Sequence, residues 1–299
     1  MNNIDSISQF HRLLSLPEPL HPLISIVHVQ DIRFKDDTVL KPFFLNFYSV
    51  SLKKDVHAKM KYGQQYYDFD KGTMSFTAPK QIQSHNILPN ESPGTGYVLF
   101  FHPSFLGRHP LASNVKNYGF FSYAVNEALH LSDKEEKNIM DIFQKIEQEH
   151  QHIDRHTQDI ILSQIDLLLN YCIRFYERQF ITRKAANSDL LAKMEQTIGE
   201  YFEDSESLEN GPPTVEYLAN RFNLSPHYLS DMLRSLTGQS AQQHIQEKLI
   251  EKAKEYLVVT NLSVAEIAYR LGFEYPQSFN KLFKKKTNLS PLEFRRTFN

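Results

Sequence analysis

Thr214-Val215-Glu216-Tyr217-Leu218-Ala219-Asn220-Arg221-Phe222-Asn223-Leu224 and, 49 residues further on, Ser263-Val264-Ala265-Glu266-Ile267-Ala268-Tyr269-Arg270-Leu271-Gly272-Phe273 are two versions of one pattern. Val215, Leu218, Ala219 and Phe222 stand at offsets 0, 3, 4 and 7, and so do Val264, Ile267, Ala268 and Leu271. That spacing puts each set on one face of a two-turn helix. Thr214 and Ser263 are N-capping residue types, and Glu266 stands in capping-box register to Ser263. Asn223 and Gly272 tolerate the left-handed backbone that a sharp helix–helix turn needs, and Leu224 and Phe273 supply an apolar plug beneath it. A proline at the first turn of a new helix follows in each copy, in Ser225-Pro226 and Tyr275-Pro276, now 50 residues apart. The new helices turn Leu229, Met232, Leu233 and Leu236, or Phe279, Leu282 and Phe283, inward. Each ends at a left-handed cap candidate, Gly238 or Asn288, before a serine start, Ser240 or Ser290. The pattern predicts two helix-turn-helix units, at about 214–237 and 263–287.

Between them, Ala241 to Val258 reads as one helix with Ile245, Leu249, Ala253 and Tyr256/Leu257 as its buried stripe. Its eighteen residues span roughly 27 Å at about 1.5 Å each. Successive major-groove faces of a duplex lie about 34 Å apart, so one rigid helix holds two readers on neighbouring turns. Charge follows the same division. Residues 211–299 carry 12 Lys and Arg against 8 Asp and Glu, whereas residues 1–210 carry 21 against 27. The last 24 residues hold six basic side chains and one acid, Glu293. A near-neutral chain with a basic end fits one half that touches a polyanion and another half with a different task.

With these residues in view, the stretch from about Leu191 to Asn299 resembles the DNA-binding domain of the AraC/XylS family of bacterial transcription regulators. The resemblance rests on Ser225-Pro226-His227-Tyr228-Leu229-Ser230, on Ala265-Glu266-Ile267-Ala268 with Leu271-Gly272-Phe273, on Phe279-Asn280-Lys281-Leu282-Phe283-Lys284-Lys285, and on Ser290-Pro291-Leu292-Glu293-Phe294-Arg295. It covers a little over a third of the chain. The remainder is similar, more loosely, to the cupin-like effector domain and helices that precede this domain in many members.

The resemblance implies that positions matching His227, Ser230 and Asp231 reach bases and that the position of Arg234 reaches phosphate. The family often has Arg where Asp231 stands. An acid here either accepts a hydrogen bond from cytosine N4 or contributes little affinity, since carboxylates repel phosphates. On the second reading helix, Gln277, Ser278, Asn280 and Lys281 face outward near the N-terminal end. Gln and Asn suit adenine and Lys suits guanine. Pro276 replaces a polar reader that the family often has there. Lys284, Lys285, Lys286, Arg295 and Arg296 are expected on phosphates, where they supply affinity and salt dependence rather than sequence choice.

The first 130 residues read as β. Leu23–Val29, Phe43–Leu52, Gly72–Thr77 and Gly96–Phe101 are rich in β-branched and aromatic residues, with Pro, Gly, Asn and Asp clusters between them. A small cupin-like barrel is expected over 1–130. Phe43, Leu45 and Phe47 would lie on one side and Phe44, Asn46 and Tyr48 on the other, with Tyr62, Tyr66 and Tyr67 beside Asp68 and Asp70. Its effector is unknown. Ser132-Asp133-Lys134-Glu135 is a capping box that opens a helix with Ile139, Ile142, Phe143 and Ile146 on one face. A second helix, about Thr157 to Phe180, carries Ile160, Ile161, Ile165, Leu168, Leu169, Cys172 and Phe175. Together 131–182 make a helical connecting region, expected to dimerise, with packing against its own barrel as the alternative, and 183–190 a polar linker before the DNA-binding domain at 191–299. The fold class is thus α+β, with an all-α C-terminal domain.

At 299 residues and 35.0 kDa the chain fits two domains, and 41% hydrophobic residues suffice for packed cores. One cysteine excludes a disulfide framework and Cys-rich metal sites. No secretory signal or membrane-length apolar run is visible, so a cytoplasmic protein is expected. The histidines of the β region, His11, His21, His28, His57, His85, His102 and His109, contain no His-x-His pair with a nearby Glu in a strand. His150 and His152, with His156 nearby, lie at a helix end, where residues two apart do not share a face. No nucleophile elbow, phosphate loop or dinucleotide fingerprint occurs. No enzyme activity, metal or cofactor is expected. The partners expected are double-stranded promoter DNA, a second copy of the chain, a small-molecule effector and, by the resemblance, RNA polymerase. The alternatives are a metal-dependent cupin enzyme fused to a DNA-binding domain and a ligand-independent regulator whose barrel only dimerises.

Overall fold

Apolar residues at alternate positions need two faces to cover, and the N-terminal half covers them with two different layers. The computed structural model describes residues 2–33, 42–54, 60–62, 65–67, 72–83, 94–203 and 210–298. The chain divides into two units, Met1–Gln179 and Phe180–Asn299. The first contains β1 (Asn2–Ile4), α1 (Ile7–Leu13), β2 (Ile24–His28), β3 (Phe43–Leu45), β4 (Tyr48–Lys54), β5 (Met60–Tyr62), β6 (Gln65–Tyr67), β7 (Thr73–Thr77), β8 (Ile82–Gln83), β9 (Thr95–Phe101), the short α2 (Leu111–Asn114), β10 (Leu129–His130) and α3 (Asp133–Gln151). It also holds most of α4 (Thr157–Thr182).

The main sheet is antiparallel with strand order β10-β7-β4-β9-β2. Register puts Tyr48, Val50 and Leu52 on one face with Met74, Phe76, Tyr97, Leu99 and Phe101. These residues are buried, and the helices supply their cover. Cys172 Sγ lies 3.8 Å from Met74 Sδ, Tyr97 stacks on Phe143, and Phe76 meets Tyr176. Burial pushes the Cys172 thiol pKa far up, as expected of a cysteine that packs as a small apolar residue. Polar clamps fasten the same helices. Arg178 reaches Glu135 at 2.6 Å and the His130 carbonyl at 2.7 Å, and Gly72 N donates to Glu136 Oε2 at 2.9 Å. At the sheet edge, Glu147 of α3 joins His28 (2.9 Å) and the Tyr97 hydroxyl (3.1 Å). Burial, helped by that carboxylate, raises the phenol pKa to about 12.

The opposite face meets a second core. Ile4, Ile7, Phe10, Phe43, Leu45 and Phe47 pack on Val98 and Phe100, with Phe10 edge-on to Phe100 at 5.3 Å. β1 pairs parallel with β3, and β3 antiparallel with β8, in a separate three-stranded sheet; β5 and β6 form a hairpin. Among the described residues no sheet closes on itself, and the strands of the cupin-like barrel expected for 1–130 stand as open sheets. The reason sits in the segment expected as one strand, Phe43–Leu52. Phe47 and Tyr48 are adjacent and both buried, which breaks strict alternation. Asn46 N bonds Ile4 O, and the chain changes sheets there. The cluster of Tyr62, Tyr66 and Tyr67 with Asp68 and Asp70 lies outside the residues whose side chains are described, as do His57 and His85.

The helices follow the pattern closely. Ser132 N donates to Glu135 Oε2 at 2.8 Å, closing the capping box, and Ile139, Ile142, Phe143 and Ile146 are buried. In α4 the stripe is buried except at Ile160, which is exposed. Among the described residues no group of three or more metal-binding side chains gathers, and no helix is long and apolar enough to cross a membrane.

Two histidines in this unit are buried. His11 Nε2 sits 2.9 Å from Ser25 Oγ while its Nδ1 meets Pro17 O, and His150 Nε2 donates to Ile24 O at 3.3 Å. Desolvation holds both below the ordinary imidazole value of 6.5. The unfolded chain therefore binds more protons than the folded one below that value, and stability is lost as pH falls from about 6.5 through the folded-state values. Urea midpoints measured from pH 7.5 to 5.5 should fall, and the double variant His11→Gln, His150→Gln should flatten that dependence.

Candidate nucleic-acid interface

The second unit holds α5 (Lys184–Glu203), α6 (Val215–Arg221), α7 (Pro226–Thr237), α8 (Ala241–Val259), α9 (Val264–Arg270), α10 (Pro276–Thr287) and α11 (Pro291–Arg296). Helix begins at Lys184, so most of the 183–190 stretch expected as a polar linker forms the first turns of α5. Asn187 accounts for the difference. Its side-chain amide is buried and donates to Phe180 O at 2.8 Å, satisfying a carbonyl that a helix end leaves free. α5 then buries Met194, Ile198, Tyr201 and Phe202. Tyr201 OH donates to Gly211 O and its ring meets Tyr217.

The two repeats carry the same hydrogen bonds. Thr214 Oγ1 accepts from Tyr217 N at 3.0 Å, and Ser263 Oγ from Glu266 N at 3.2 Å. Asn223 has φ +55° and Gly272 φ +85°, the left-handed turn in both. Leu224 N donates to Ala219 O and Phe273 N to Ala268 O, each at 2.9 Å. At the far end of the second helices, Gly238 (φ +79°) donates to Arg234 O and Asn288 (φ +63°) to Lys284 O, again at 2.9 Å. Thr237 and Thr287 cap Leu233 O and Phe283 O, both at 2.8 Å. These matched distances are the structural form of the 49- and 50-residue spacing. α8 joins the repeats, burying Ile245, Leu249, Ala253 and Leu257 as expected, with His244 and Ile250 besides.

The reading helices turn their polar residues out. On α10, Phe279 and Phe283 are fully buried, and Gln277, Ser278, Asn280, Lys281, Lys284 and Lys285 are all exposed. Lys286 is half-buried and Arg296 exposed. On α7, His227 and Arg234 are exposed while Ser230 and Asp231 are half-buried. Two placements depart from simple projection. Asp231 Oδ1 accepts from Arg234 Nη1 at 2.7 Å, so acid and base are joined within one helix turn. Arg295, half-buried, donates from Nε to Leu257 O at 3.0 Å, at the carbonyl end of α8. Its guanidinium thus closes a helix C-terminus rather than standing free.

Sequence reading missed Tyr228. It is buried with its ring on Phe180 at 5.1 Å, an inward anchor for α7 beside Leu229 and Met232. The i, i+3 spacing of Asp231 and Arg234 was a readable sign of their pairing. Tyr256 meets Lys252 of its own helix at 5.4 Å, an i, i+4 spacing equally readable, whereas Arg270, 5.2 Å from the same ring, comes from α9 and gave no such sign.

Residues 218–297 match the family described as "Helix-turn-helix domain". The chain is 34% identical over 82 residues to the bifunctional transcriptional activator/DNA repair enzyme AdaA of Bacillus subtilis, covering 27% of this chain and 39% of that protein. It is 31% identical over 130 residues to the transcriptional activator RhaS of Salmonella paratyphi B, covering 44% of this chain and 45% of that one. It spans less than half the length of either relative. Among solved structures, the C-terminal domain of AraT from Geobacillus stearothermophilus is 35% identical, with 36% of this chain and 84% of that one covered and a TM-score of 0.32.

If the two left-handed turns hold the units together, Gly272→Ala should cost about 1–2 kcal/mol, because a Cβ opposes that backbone conformation. Asn223→Gly should be close to neutral. Urea unfolding checks both; an unchanged midpoint for Gly272→Ala contradicts the turn's role.

Proposed function

We propose that this chain, whose C-terminal block is a helix-turn-helix domain of the AraC/XylS type, is a sequence-specific, effector-responsive regulator of transcription that acts as an activator. The observation that carries the reading is the duplicated turn. Two helix pairs with matching left-handed residues and matching 2.9 Å closures sit at the two ends of one nineteen-residue helix. That helix is roughly 28 Å long at about 1.5 Å per residue. It suits two reading helices placed in neighbouring major grooves on one side of a duplex.

α10 supplies the stronger grip. Gln277, Ser278, Asn280 and Lys281 at its N-terminal end meet base edges, and Lys284, Lys285 and Arg296 meet phosphates. α7 contributes His227 and Ser230 to bases, with Arg234 on phosphate once released from Asp231. The pairing of Asp231 with Arg234 supports the low-affinity reading of that acid rather than the cytosine-reading one. Arg295 is assigned to holding α8, not to DNA. The cupin-like N-terminal unit binds a small molecule, and α3 and α4 pair two copies. A ligand that favours one arrangement of the two DNA-binding domains over another shifts half-site engagement by that difference in affinity. Contact with RNA polymerase follows from the family type.

Capture of bound genomic fragments followed by footprinting tests the whole reading; the absence of any protected site rejects it. On a captured site, Lys281→Ala should weaken binding by about 1–3 kcal/mol and relax choice at one base pair. Lys284→Ala and Lys285→Ala should weaken all sequences alike and each lower the salt slope by about 1. Asp231→Asn should strengthen binding and raise that slope by about 1, since it frees one cation. Weaker binding confined to sites with one particular cytosine would instead make Asp231 a base reader.

A further inference from the structure

The two faces of the main sheet in the first unit differ in chemistry. One is apolar beneath α3 and α4, with Lys54 and His28 at its margins paired to Glu136 and Glu147. The other is apolar only along β2 and β9, where Val27, Val98 and Phe100 meet the Phe10–Phe47 core. Along β4 and β7 the same face is polar throughout. Register pairs Ser49 with Thr77, Ser51 with Ser75 and Lys53 with Thr73, and the last row continues to His130 on β10. This is a ladder of three cross-strand pairs with five hydroxyls and an ammonium. Ser51 and Ser75 are already joined, Oγ to Oγ, at 2.6 Å.

Lys53 is the unusual member. It is half-buried, and its ammonium makes no hydrogen bond or ion pair with any described residue. Burial lowers its pKa from the usual lysine range, and among the described residues no carboxylate offsets the cost. By contrast the next residue, Lys54, on the opposite face, is paired with Glu136. A cation held in a desolvating setting without a counter-charge is costly, and cations so placed generally have a partner. Its register partner on β9 is Gly96, which has φ +122° and no side chain to lie across the ammonium; a Cβ there would meet Leu52 O at 2.1 Å.

We propose that this half-face is a binding site for a small oxygen-rich organic anion, a carboxylate or a phosphate ester, whose charge meets Lys53 and whose hydroxyls meet the Ser49–Thr77 and Ser51–Ser75 rungs. The ring cluster of Phe47 and Phe100, 5.8 Å apart, closes the site on its apolar side. Charge-assisted hydrogen bonds to the ammonium supply affinity, and the rungs supply orientation. The inference rests on the reading that the first unit is the sensing half, and it names the chemistry sensed.

The test uses the full chain without DNA, so its outcome is independent of whether promoter binding is found. Thermal unfolding and calorimetry are run with gluconate, glucose 6-phosphate and neutral glucose as probes. The expected result is a rise in Tm of about 2–4 °C with at least one anion and none with glucose; which anion acts distinguishes carboxylate from phosphate. Lys53→Met, which keeps the stem and removes the charge, should abolish that shift and raise the Tm of the free protein. Lys53→Arg should retain part of the shift, which keeps the comparison readable if Lys53→Met folds poorly. Equal shifts in the parent and Lys53→Met, an equal response to glucose, or no response to either anion overturns the proposal.

Discussion

Both helix pairs of the second unit depend on a left-handed residue placed directly after a two-turn helix. At Asn223 and Gly272 the chain reverses φ, and the following amide folds back on the preceding helix, from Leu224 to Ala219 O and from Phe273 to Ala268 O. That closure drops Leu224 and Phe273 into the angle between the helices and sets the direction of the next helix. The prolines that follow have no amide hydrogen to lose at a first turn and arrive with φ already suited to helix. Small buried residues, Ala219 and Ala268, let the helices approach closely.

The two repeats share this frame but not their electrostatics. Within α10 there are four lysines and no acid; within α7, Asp231 cancels Arg234. The free positive charge is therefore concentrated on the second module. The acids near the second module are already occupied. Backbone and side-chain hydrogen bonds from Ser290 hold the Glu293 carboxyl below its usual pKa, and those from Ser263 do the same for Glu266, so both serve as caps at helix starts. Arg295, drawn to the carbonyl end of α8, shows that a basic residue near a binding face can be structural.

In the first unit, alternation produces a sheet with one dry face and one divided face. The dry face is bound by Met74, Tyr97 and Phe101 against helices tied down by Glu135, Glu136 and Glu147. The divided face joins an aromatic cluster to a polar ladder. Backbone hydrogen bonding is the same on both, so the difference lies entirely in which side chains the register brings together.

Much of this was legible in the sequence because it is local. Helix periodicity, capping boxes at Ser132, Ser263 and Ser290, and left-handed residues at 223, 238, 272 and 288 are decided within a few residues of chain. The inward and outward faces of α7 and α10 follow from the same period. What remained hidden was non-local. The break at Asn46-Phe47 depends on Ile4, the helical start of α5 depends on Asn187 reaching Phe180, and Tyr228 is buried only because Phe180 is there. Arg295 looks like any surface cation until Leu257, 38 residues earlier, is found beside it. Lys53 reads as an ordinary strand lysine until Thr73 and Gly96 are set at its sides. Chain order alone determined the paired helices of the two repeats and how each pair turns; folding in three dimensions decided which polar groups find partners, because desolvation and hydrogen bonding act on neighbours in space rather than along the chain.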